Sequence, residues 1–291
     1  MWLNKPVLFA IIFTLLVACG FIMFNCAKKA ERVSADRTKW LTSTLIAHRG
    51  MHSESENIPE NTLSAFARAI ENGYIIELDV AMTKDKKLVV YHDKKLKRLF
   101  GLEAYLSEMD YSELAELRFA NSPEKIPLFE EVLALVNGQV PLLIEIKNEG
   151  AVGELESKLY DQLKSYSGQY AIQSFNPYSV AWFRKNAPEV LRGQLSGSFE
   201  VSDYDVEYAG TTRLPWYQKI LLSNLLLNFE SRPNFIAYEI NNNIDKLNSL
   251  RKLDVPVLGW TVKSVEEYES VKSVFDNFIV EEFALERKCW E

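Results

Sequence analysis

Two acidic residues alternate with apolar ones in a short segment of the sequence. Residues 75–80 read as a strand, and because neighbouring side chains of a strand point to opposite faces, Glu77 and Asp79 share one face. Glu145 and Lys147 share a face of a second such segment. In a closed parallel barrel the apolar faces would pack on helices, which leaves the charged faces at the inner, carboxyl-terminal mouth. For Glu77 and Asp79 alone, the polar face of an edge strand is the alternative.

Three carboxylates in one partly buried mouth indicate a bound cation. They would repel one another and lose solvation, at a cost of roughly several kcal/mol unless a positive charge compensates. Oxygen ligands favour a hard ion over zinc, which prefers histidine or cysteine. The sequence therefore predicts one divalent cation, Mg²⁺ or Ca²⁺, as the cofactor.

Two histidines follow predicted strands directly. His48 comes after the first strand, beside Arg49, and His92 comes after the strand that ends at Tyr91. Histidine titrates near neutral pH, and the guanidinium group of arginine fits the oxygens of a phosphate. A single loop histidine is usually a surface or capping residue, and His52, in a charged loop, is interpreted in that way. The pair at equivalent strand ends instead predicts proton transfer.

Several segments carry a resemblance to one family. Their order and spacing resemble the glycerophosphodiester phosphodiesterase family over about residues 44 to 284. The segments are His48-Arg49-Gly50, Pro59-Glu60-Asn61-Thr62, Ile76-Glu77-Leu78-Asp79-Val80, Thr83-Lys84-Asp85, Val90-Tyr91-His92-Asp93, Ile126-Pro127-Leu128-Phe129-Glu130-Glu131-Val132 and Ile144-Glu145-Ile146-Lys147, with weaker matches at Gln173-Ser174-Phe175 and Gly259-Trp260-Thr261.

The resemblance implies a metal-dependent phosphoric diester hydrolase that cleaves glycerophosphodiesters to glycerol 3-phosphate and an alcohol. It implies a role for each matching residue: Glu77, Asp79 and Glu145 bind the metal, His48 and His92 act in acid/base catalysis, and Arg49 and Lys147 bind the substrate phosphate. The short stretch between Asp93 and Ile126 resembles the bacterial-type subgroup with a short insert.

Two features depart from the family pattern. The last predicted strand ends in Val280-Glu281-Glu282, where the family usually has a Thr-Asp pair. Residues 214–229 are too long for a plain loop between strand and helix, and too apolar for a solvated one. This stretch is either a helix of the barrel's outer layer or a second membrane contact.

Two other functions are alternatives. The first is hydrolysis of membrane lipids on the same fold, as a lysophospholipase D or a phospholipase C-like enzyme. The second is a non-catalytic, membrane-tethered binding module, which gives no physical reason to retain so many charges in a barrel mouth. The predicted partner is a small phosphodiester or lysolipid. Nucleic acid is excluded, because a net charge of -7 would repel its phosphate backbone.

The elements that position these residues alternate along the chain. Short apolar runs alternate with amphipathic stretches, which is typical of repeated βα units, and we predict an α/β fold, a (β/α)8 TIM barrel. Nine candidate strands for eight places mean that one is wrong or lies outside the barrel. The strands are residues 45–47, 75–80, 88–91, 141–146, 170–174, 191–194, 235–239, 256–261 and 277–280. The helices are residues 61–72, 128–136, 152–166, 177–186, 244–252 and 265–274.

The amino-terminal region is predicted to lie outside the barrel. Residues 6–24 carry no charge and have the length of a single transmembrane helix, which makes residues 1–40 an anchor with its linker and residues 41–291 one catalytic domain. A buried core helix and a lipoprotein signal with Cys19 as the lipidated residue are the alternatives. Positive charge after the segment predicts a single-pass membrane protein with its catalytic domain in the cytoplasm, and an extracellular domain stays open.

Overall fold

The computed structural model describes residues 9, 11–14, 20, 29–148, 150–240 and 248–281. Within them the chain forms nine strands. They are β1 (Ile46–Ala47), β2 (Ile75–Met82), β3 (Leu88–Val90), β4 (Leu142–Ile146), β5 (Tyr170–Ser174), β6 (Leu191–Ser196), β7 (Phe235–Glu239), β8 (Val257–Val262) and β9 (Asn277–Val280).

Eight of these strands close into a parallel barrel. The order around it is β1-β2-β4-β5-β6-β7-β8-β9, and β9 pairs with β1 to complete the ring. Strand β3 instead runs antiparallel to the end of β2, with Val90 opposite Val80. The predicted barrel is confirmed, and the ninth candidate strand is real but lies outside the ring.

Helices follow most of the barrel strands. The α-helices are α1 (Ala35–Thr38), α2 (Leu63–Asn72), α3 (Lys97–Phe100), α4 (Tyr111–Leu114), α5 (Phe129–Val136), α6 (Glu154–Leu163), α7 (Pro177–Asn186), α8 (Trp216–Ser223), α9 (Asn228–Ser231) and α10 (Val265–Val271). Short 3-10 turns cover Lys39–Thr42, Leu106–Glu108 and Arg251–Leu253, and a π-helical turn covers Asp205–Ala209.

Side-chain caps fix where several helices begin. Thr62 accepts a hydrogen bond from the backbone of Ala65, so α2 starts later than predicted. Asn176 caps α7 in the same way, with Pro177 in the first helical position, where its missing N–H costs nothing. Of the helix predicted over residues 244–252, residues 244–247 lie outside the described residues.

The apolar side chains form two main layers. Outward-facing residues of the strands pack against the helices, as Ile144, Phe129 and Phe183 do. Inward-facing residues fill the lower half of the barrel, around Leu143 and Phe235. This division follows from the alternation of side chains along each strand.

The same alternation makes the upper half of the barrel interior polar. Two residues beyond each inward-facing apolar side chain, the next inward position lies at the carboxyl end of its strand. These positions hold His48, Glu77, Asp79, Glu145, Glu239, Trp260 and Glu281. The barrel therefore places its chemically active side chains at one end.

A segment before the first strand closes the other end of the barrel. Trp40 and Leu41 pack into the lower interior layer. Further upstream, Glu31 receives a hydrogen bond at 2.8 Å from the Asn234 amide and one at 2.6 Å from the guanidinium group of Arg192. Arg192 is almost fully buried, so Glu31 supplies the charge that its burial requires.

The predicted membrane location needs correction. Most of the predicted anchor, residues 6–24, lies outside the described residues. In the part of the chain that the structure does describe, no helix combines the length and the apolar character needed to cross the hydrocarbon core. This finding overturns the prediction of a single-pass membrane protein.

The long apolar stretch after β6 does not form a buried outer helix. Helix α8 has no buried residue, and it exposes Trp216, Tyr217 and Ile220. Its end is held above the barrel by two hydrogen bonds, from Ser196 Oγ to the carbonyl of Leu222 and from Tyr238 Oη to that of Ser223. Of the two interpretations of this stretch, the outer-layer helix is wrong for α8.

We predict that Glu31→Gln destabilises the barrel by about 1–2 kcal/mol. Removing one partner of a buried pair costs more than that, but Glu31 is about half exposed and solvent screens part of its charge. Urea denaturation measures the loss. The exposed control Glu130→Gln should change stability little, and adding Arg192→Met to Glu31→Gln should recover part of the loss. Equal stability of Glu31→Gln and the control would contradict this account of the barrel floor.

Candidate active site

Three carboxylates meet at the barrel mouth. Glu77 and Asp79 lie on β2, and Glu145 lies beside Asp79 on the neighbouring strand β4. Each offers an oxygen, and these three oxygens lie within 4.8 Å of one another. All three residues are buried, with Asp79 only 1% exposed. The convergence predicted from strand alternation is therefore present, and the cluster could hold a metal ion.

Two cations lie against the carboxylates. Lys147 Nζ is 2.6 Å from Glu145 Oε1 and 3.1 Å from Asp79 Oδ1. Arg49 Nε is 3.4 Å from Asp79 Oδ2, and the Asn61 amide donates to the same oxygen at 2.8 Å. Asp79 thus receives most of the compensation.

The pKa values reflect this unequal compensation. Burial, followed by the charges of Asp79 and Glu145, raises the pKa of Glu77 well above its usual range. Burial also raises the pKa of Glu145 to about 7, despite Lys147. For Asp79, Lys147 and other positive groups outweigh burial and hold its pKa low. Without a further cation, two of the three acids retain protons near neutral pH.

Gln173 adds a neutral oxygen to this side of the mouth. It lies beside Glu145 across the β4–β5 pair and is 1% exposed. Its Oε1 has no hydrogen-bond partner among the described residues. A buried orphan acceptor next to three carboxylates is the donor chemistry of a hard divalent cation, directly or through water. The residues present therefore fit the predicted Mg²⁺ or Ca²⁺.

A sharp turn after β1 places His48 and Arg49. Arg49 and Gly50 both have positive φ angles, of 53° and 78°. A Cβ on Gly50 would lie 2.9 Å from the ring of Phe66, so this position needs glycine for space as well as conformation. The turn allows the Arg49 backbone N–H to donate to Glu77 Oε2 at 3.0 Å, which ties it to the acid cluster.

Each histidine of the predicted pair has a carboxylate at Nδ1. His48 Nδ1 lies 3.3 Å from Glu281 Oε1, and His92 Nδ1 lies 2.6 Å from Asp93 Oδ1. A carboxylate at Nδ1 fixes the ring and its tautomer, with Nε2 left for proton transfer. Arg98 in turn holds Asp93 by a hydrogen bond of 2.6 Å.

Burial keeps both histidines neutral. Loss of solvation, aided by Arg49, lowers the pKa of His48 to about 4 and also lowers the pKa of His92. The pKa of Glu281 falls to about 2, because the His48 hydrogen bond outweighs the effect of burial. Neutral imidazoles at physiological pH are able to accept a proton.

The predicted site residues thus form one assembly, while His52 has a lesser place. All seven residues predicted for catalysis, phosphate and metal belong to the mouth described above. His52 is partly exposed, and its only recorded effect on this assembly is a small contribution to the low pKa of Glu281.

Sequence reasoning missed several supporting residues. Glu60 bridges two arginines, since it accepts hydrogen bonds from Arg49 and Arg98 at 2.6 Å. The motif containing Glu60 and Asn61 was visible, but nothing in its spacing indicated that a positive-φ turn would direct it at the mouth. Glu281 could have been found from strand alternation, because it follows Ile279 on the inward face of β9.

Comparison with known proteins agrees with this geometry. Residues 48–276 match the Glycerophosphoryl diester phosphodiesterase family. The chain belongs to this family. A Glycerophosphodiester phosphodiesterase of Caldanaerobacter subterraneus subsp. tengcongensis is 30% identical over 257 residues, covering 83% of this chain and 95% of the relative.

Solved structures give the same fold. The glycerophosphodiester phosphodiesterase of Thermotoga maritima has a TM-score of 0.61 and 27% identity, covering 84% of this chain and 97% of that one. A phosphodiesterase of Oleispira antarctica, solved in complex with the product sn-glycerol-3-phosphate, has a TM-score of 0.66 at 19% identity, covering 84% and 95%.

Family membership confirms the predicted class of enzyme, a phosphoric diester hydrolase. The alternative of a non-catalytic binding module is therefore set aside. Assignment to the bacterial-type subgroup with a short insert stays a prediction, and so do the roles of the individual residues.

We predict that Glu281→Gln lowers kcat by about tenfold or more and leaves KM nearly unchanged. The amide no longer stabilises the correct tautomer and the charged form of His48, whereas it does not contact the substrate. Glu281→Asp, which restores the carboxylate typical of the family at this place, should retain most of the activity. Steady-state kinetics of the three proteins test this, and equal kcat for wild type and Glu281→Gln would contradict the contact's role.

Proposed function

We propose that this chain hydrolyses glycerophosphodiesters to glycerol 3-phosphate and an alcohol, with one divalent cation, Mg²⁺ or Ca²⁺, as cofactor. Residues 41–291 are the proposed catalytic domain. One observation carries the proposal: three buried carboxylates converge beside two histidines, each backed by its own carboxylate, in a member of this family.

Glu77, Asp79 and Glu145 are the proposed ligands of the cation. When bound, it supplies positive charge that stabilises the negative charge gathering on the phosphate oxygens in the transition state. Its charge also relieves the repulsion that raises the pKa values of Glu77 and Glu145.

Arg49 and Lys147 are the proposed phosphate-binding groups. Both are held beside the acids, so their charges face the region where the diester would lie. Arg49 Nε makes no hydrogen bond among the described residues, although it lies in ion-pair range of Asp79. A buried N–H of this kind suits a phosphate oxygen.

His48 and His92 are the proposed proton-transfer groups. With Nδ1 engaged by a carboxylate, each presents Nε2 to the mouth. One accepts the proton of the attacking hydroxyl, from water or from the substrate's glycerol 2-hydroxyl. The other donates a proton to the oxygen of the departing alcohol, whose bond to phosphorus breaks. Both assignments of the two roles are compatible with this arrangement.

A second candidate function is lysophospholipase D activity on the same site. The observation that favours it is the exposed apolar surface of α8, held beside the carboxyl ends of β6 and β7. Trp216 is 75% exposed there and Ile220 is 49% exposed. Such a surface suits the acyl chain of a lysolipid or the edge of a lipid layer.

The test measures alcohol release from glycerophosphocholine, glycerophosphoethanolamine and lysophosphatidylcholine by the full chain. We expect activity on the water-soluble diesters that EDTA removes and Mg²⁺ or Ca²⁺ restores. Glu77→Gln and Glu145→Gln should abolish the metal-dependent activity. His48→Ala and His92→Ala should each lower kcat by about 10² or more, the usual contribution of general acid/base catalysis.

The control variant is His52→Ala, which should change kcat little. Full activity of Glu77→Gln or Glu145→Gln at saturating metal would refute their assignment as ligands. A loss with His52→Ala as large as with His92→Ala would refute the proposed pair. Faster turnover of lysophosphatidylcholine than of both soluble diesters would favour the second candidate over the first.

A further inference from the structure

The mouth has an aromatic wall on the side away from the acids. Phe175 follows β5, Phe199 lies in the loop after β6, and Trp260 lies on the inward face of β8. The Phe175 ring is 5.4 Å from the Trp260 ring at 85°, and 5.7 Å from the Phe199 ring at 72°. In the order of the ring, β7 and β8 lie across the barrel from β2 and β4, which carry the three carboxylates.

A fourth carboxylate belongs to this wall. Glu239 ends β7 and lies directly beside Trp260 in the register of β7 and β8, so both side chains share the inward face. The backbone N–H of Ser198 donates to Glu239 Oε2 at 2.6 Å. A Cβ on Gly197 would come within 2.6 Å of the same oxygen, and glycine therefore leaves room for this carboxylate. Its position is fixed by the loop that also carries Phe199.

Trp260 also offers a polar group to the mouth. Its indole Nε1 is buried and has no acceptor in the part of the chain that the structure describes. Buried donors of this kind are normally satisfied, which points to an acceptor supplied from outside the protein. An ester or hydroxyl oxygen of a bound substrate has this chemistry.

We propose that Glu239, Trp260, Phe175 and Phe199 form a subsite for the positively charged ammonium group of the departing alcohol. Aromatic faces attract ammonium groups, quaternary ones in particular, and a fixed carboxylate adds a full opposite charge. Amino alcohols such as choline and ethanolamine carry that group two carbons from the ester oxygen. This inference rests on the proposed diesterase function and names the substrate class within it.

Other occupants fit these side chains less well. A neutral polyol would satisfy the Trp260 N–H but would leave the aromatic rings covered by hydroxyl groups. An acyl chain would cover the rings but would bring hydrocarbon against the Glu239 carboxylate, at a desolvation cost. An alkylammonium group matches the rings and the charge together.

The test compares kcat/KM for glycerophosphocholine, glycerophosphoethanolamine and the neutral-head-group diester glycerophosphoglycerol. Wild type should prefer the two cationic substrates by roughly tenfold, the scale of a partly desolvated cation–π contact with a charge partner. Glu239→Gln should remove most of that preference through the cationic substrates, with glycerophosphoglycerol turnover nearly unchanged. Tetramethylammonium should inhibit wild type and should inhibit Glu239→Gln much less.

The matched control is Glu200→Gln, a carboxylate of the same loop whose ion pair is with exposed Lys219 at 3.0 Å. It should keep the wild-type preference. If Glu239→Gln does not fold, Phe199→Leu takes its place and should reduce the preference for choline more than that for ethanolamine. An unchanged substrate ratio in the folded variant, or equal rates for all three diesters with wild type, overturns the subsite. Hydrolysis of none of the diesters would refute the function itself, and calorimetric binding of tetramethylammonium would then decide the subsite alone.

Discussion

Three carboxylates share a buried volume with only two nearby cations, and the structure of the mouth is organised around that imbalance. Oxygens of Glu77, Asp79 and Glu145 lie within 4.8 Å of one another, where mutual repulsion and lost solvation are both large. Lys147, Arg49 and Asn61 compensate Asp79 most fully. The remaining excess of negative charge is the physical reason why this site suits a divalent cation.

The surrounding fold makes such a cluster affordable and keeps it in place. The acids stand on adjacent central strands whose opposite faces lie in the apolar layer beneath the helices. The lower interior is filled by apolar side chains and closed by the segment around Trp40, so charge is confined to one end of the barrel. Each histidine is held by a carboxylate from outside the cluster, which separates proton transfer from cation binding.

Much of this arrangement could be predicted from the sequence, because it depends on a period of two. Alternation in residues 75–80 placed Glu77 and Asp79 on the inner face, and the same rule applied to β4 placed Glu145 beside them. The ninth strand could not be assigned in the same way. Residues 88–90 have the apolar character of a barrel strand, and only the reversal of the chain at residues 83–87 makes β3 antiparallel and external.

Long-range contacts account for most of what the sequence did not predict. His48 and Glu281 are 233 positions apart, and their pairing exists only because β9 closes the ring against β1. Helix α8 was ambiguous because its apolar residues suited both a core and an interface, and neither period nor composition distinguishes the two. The membrane location was wrong because it relied on the hydropathy of residues 6–24 alone, a segment that lies largely outside the described residues.

The most direct test of the central claim measures protons released when the cation binds. Burial raises the pKa of Glu77 and brings that of Glu145 to about 7, so at pH 6 the metal-free cluster retains protons that free carboxyl groups would have lost. A cation that binds the carboxylates must displace them. Calorimetric titration of the metal-free protein with Mg²⁺ or Ca²⁺ at pH 6, in two buffers of different ionisation enthalpy, gives the number released. We predict about one proton or more per ion, and fewer for Glu145→Gln. Binding without proton release, or no binding, would contradict the account.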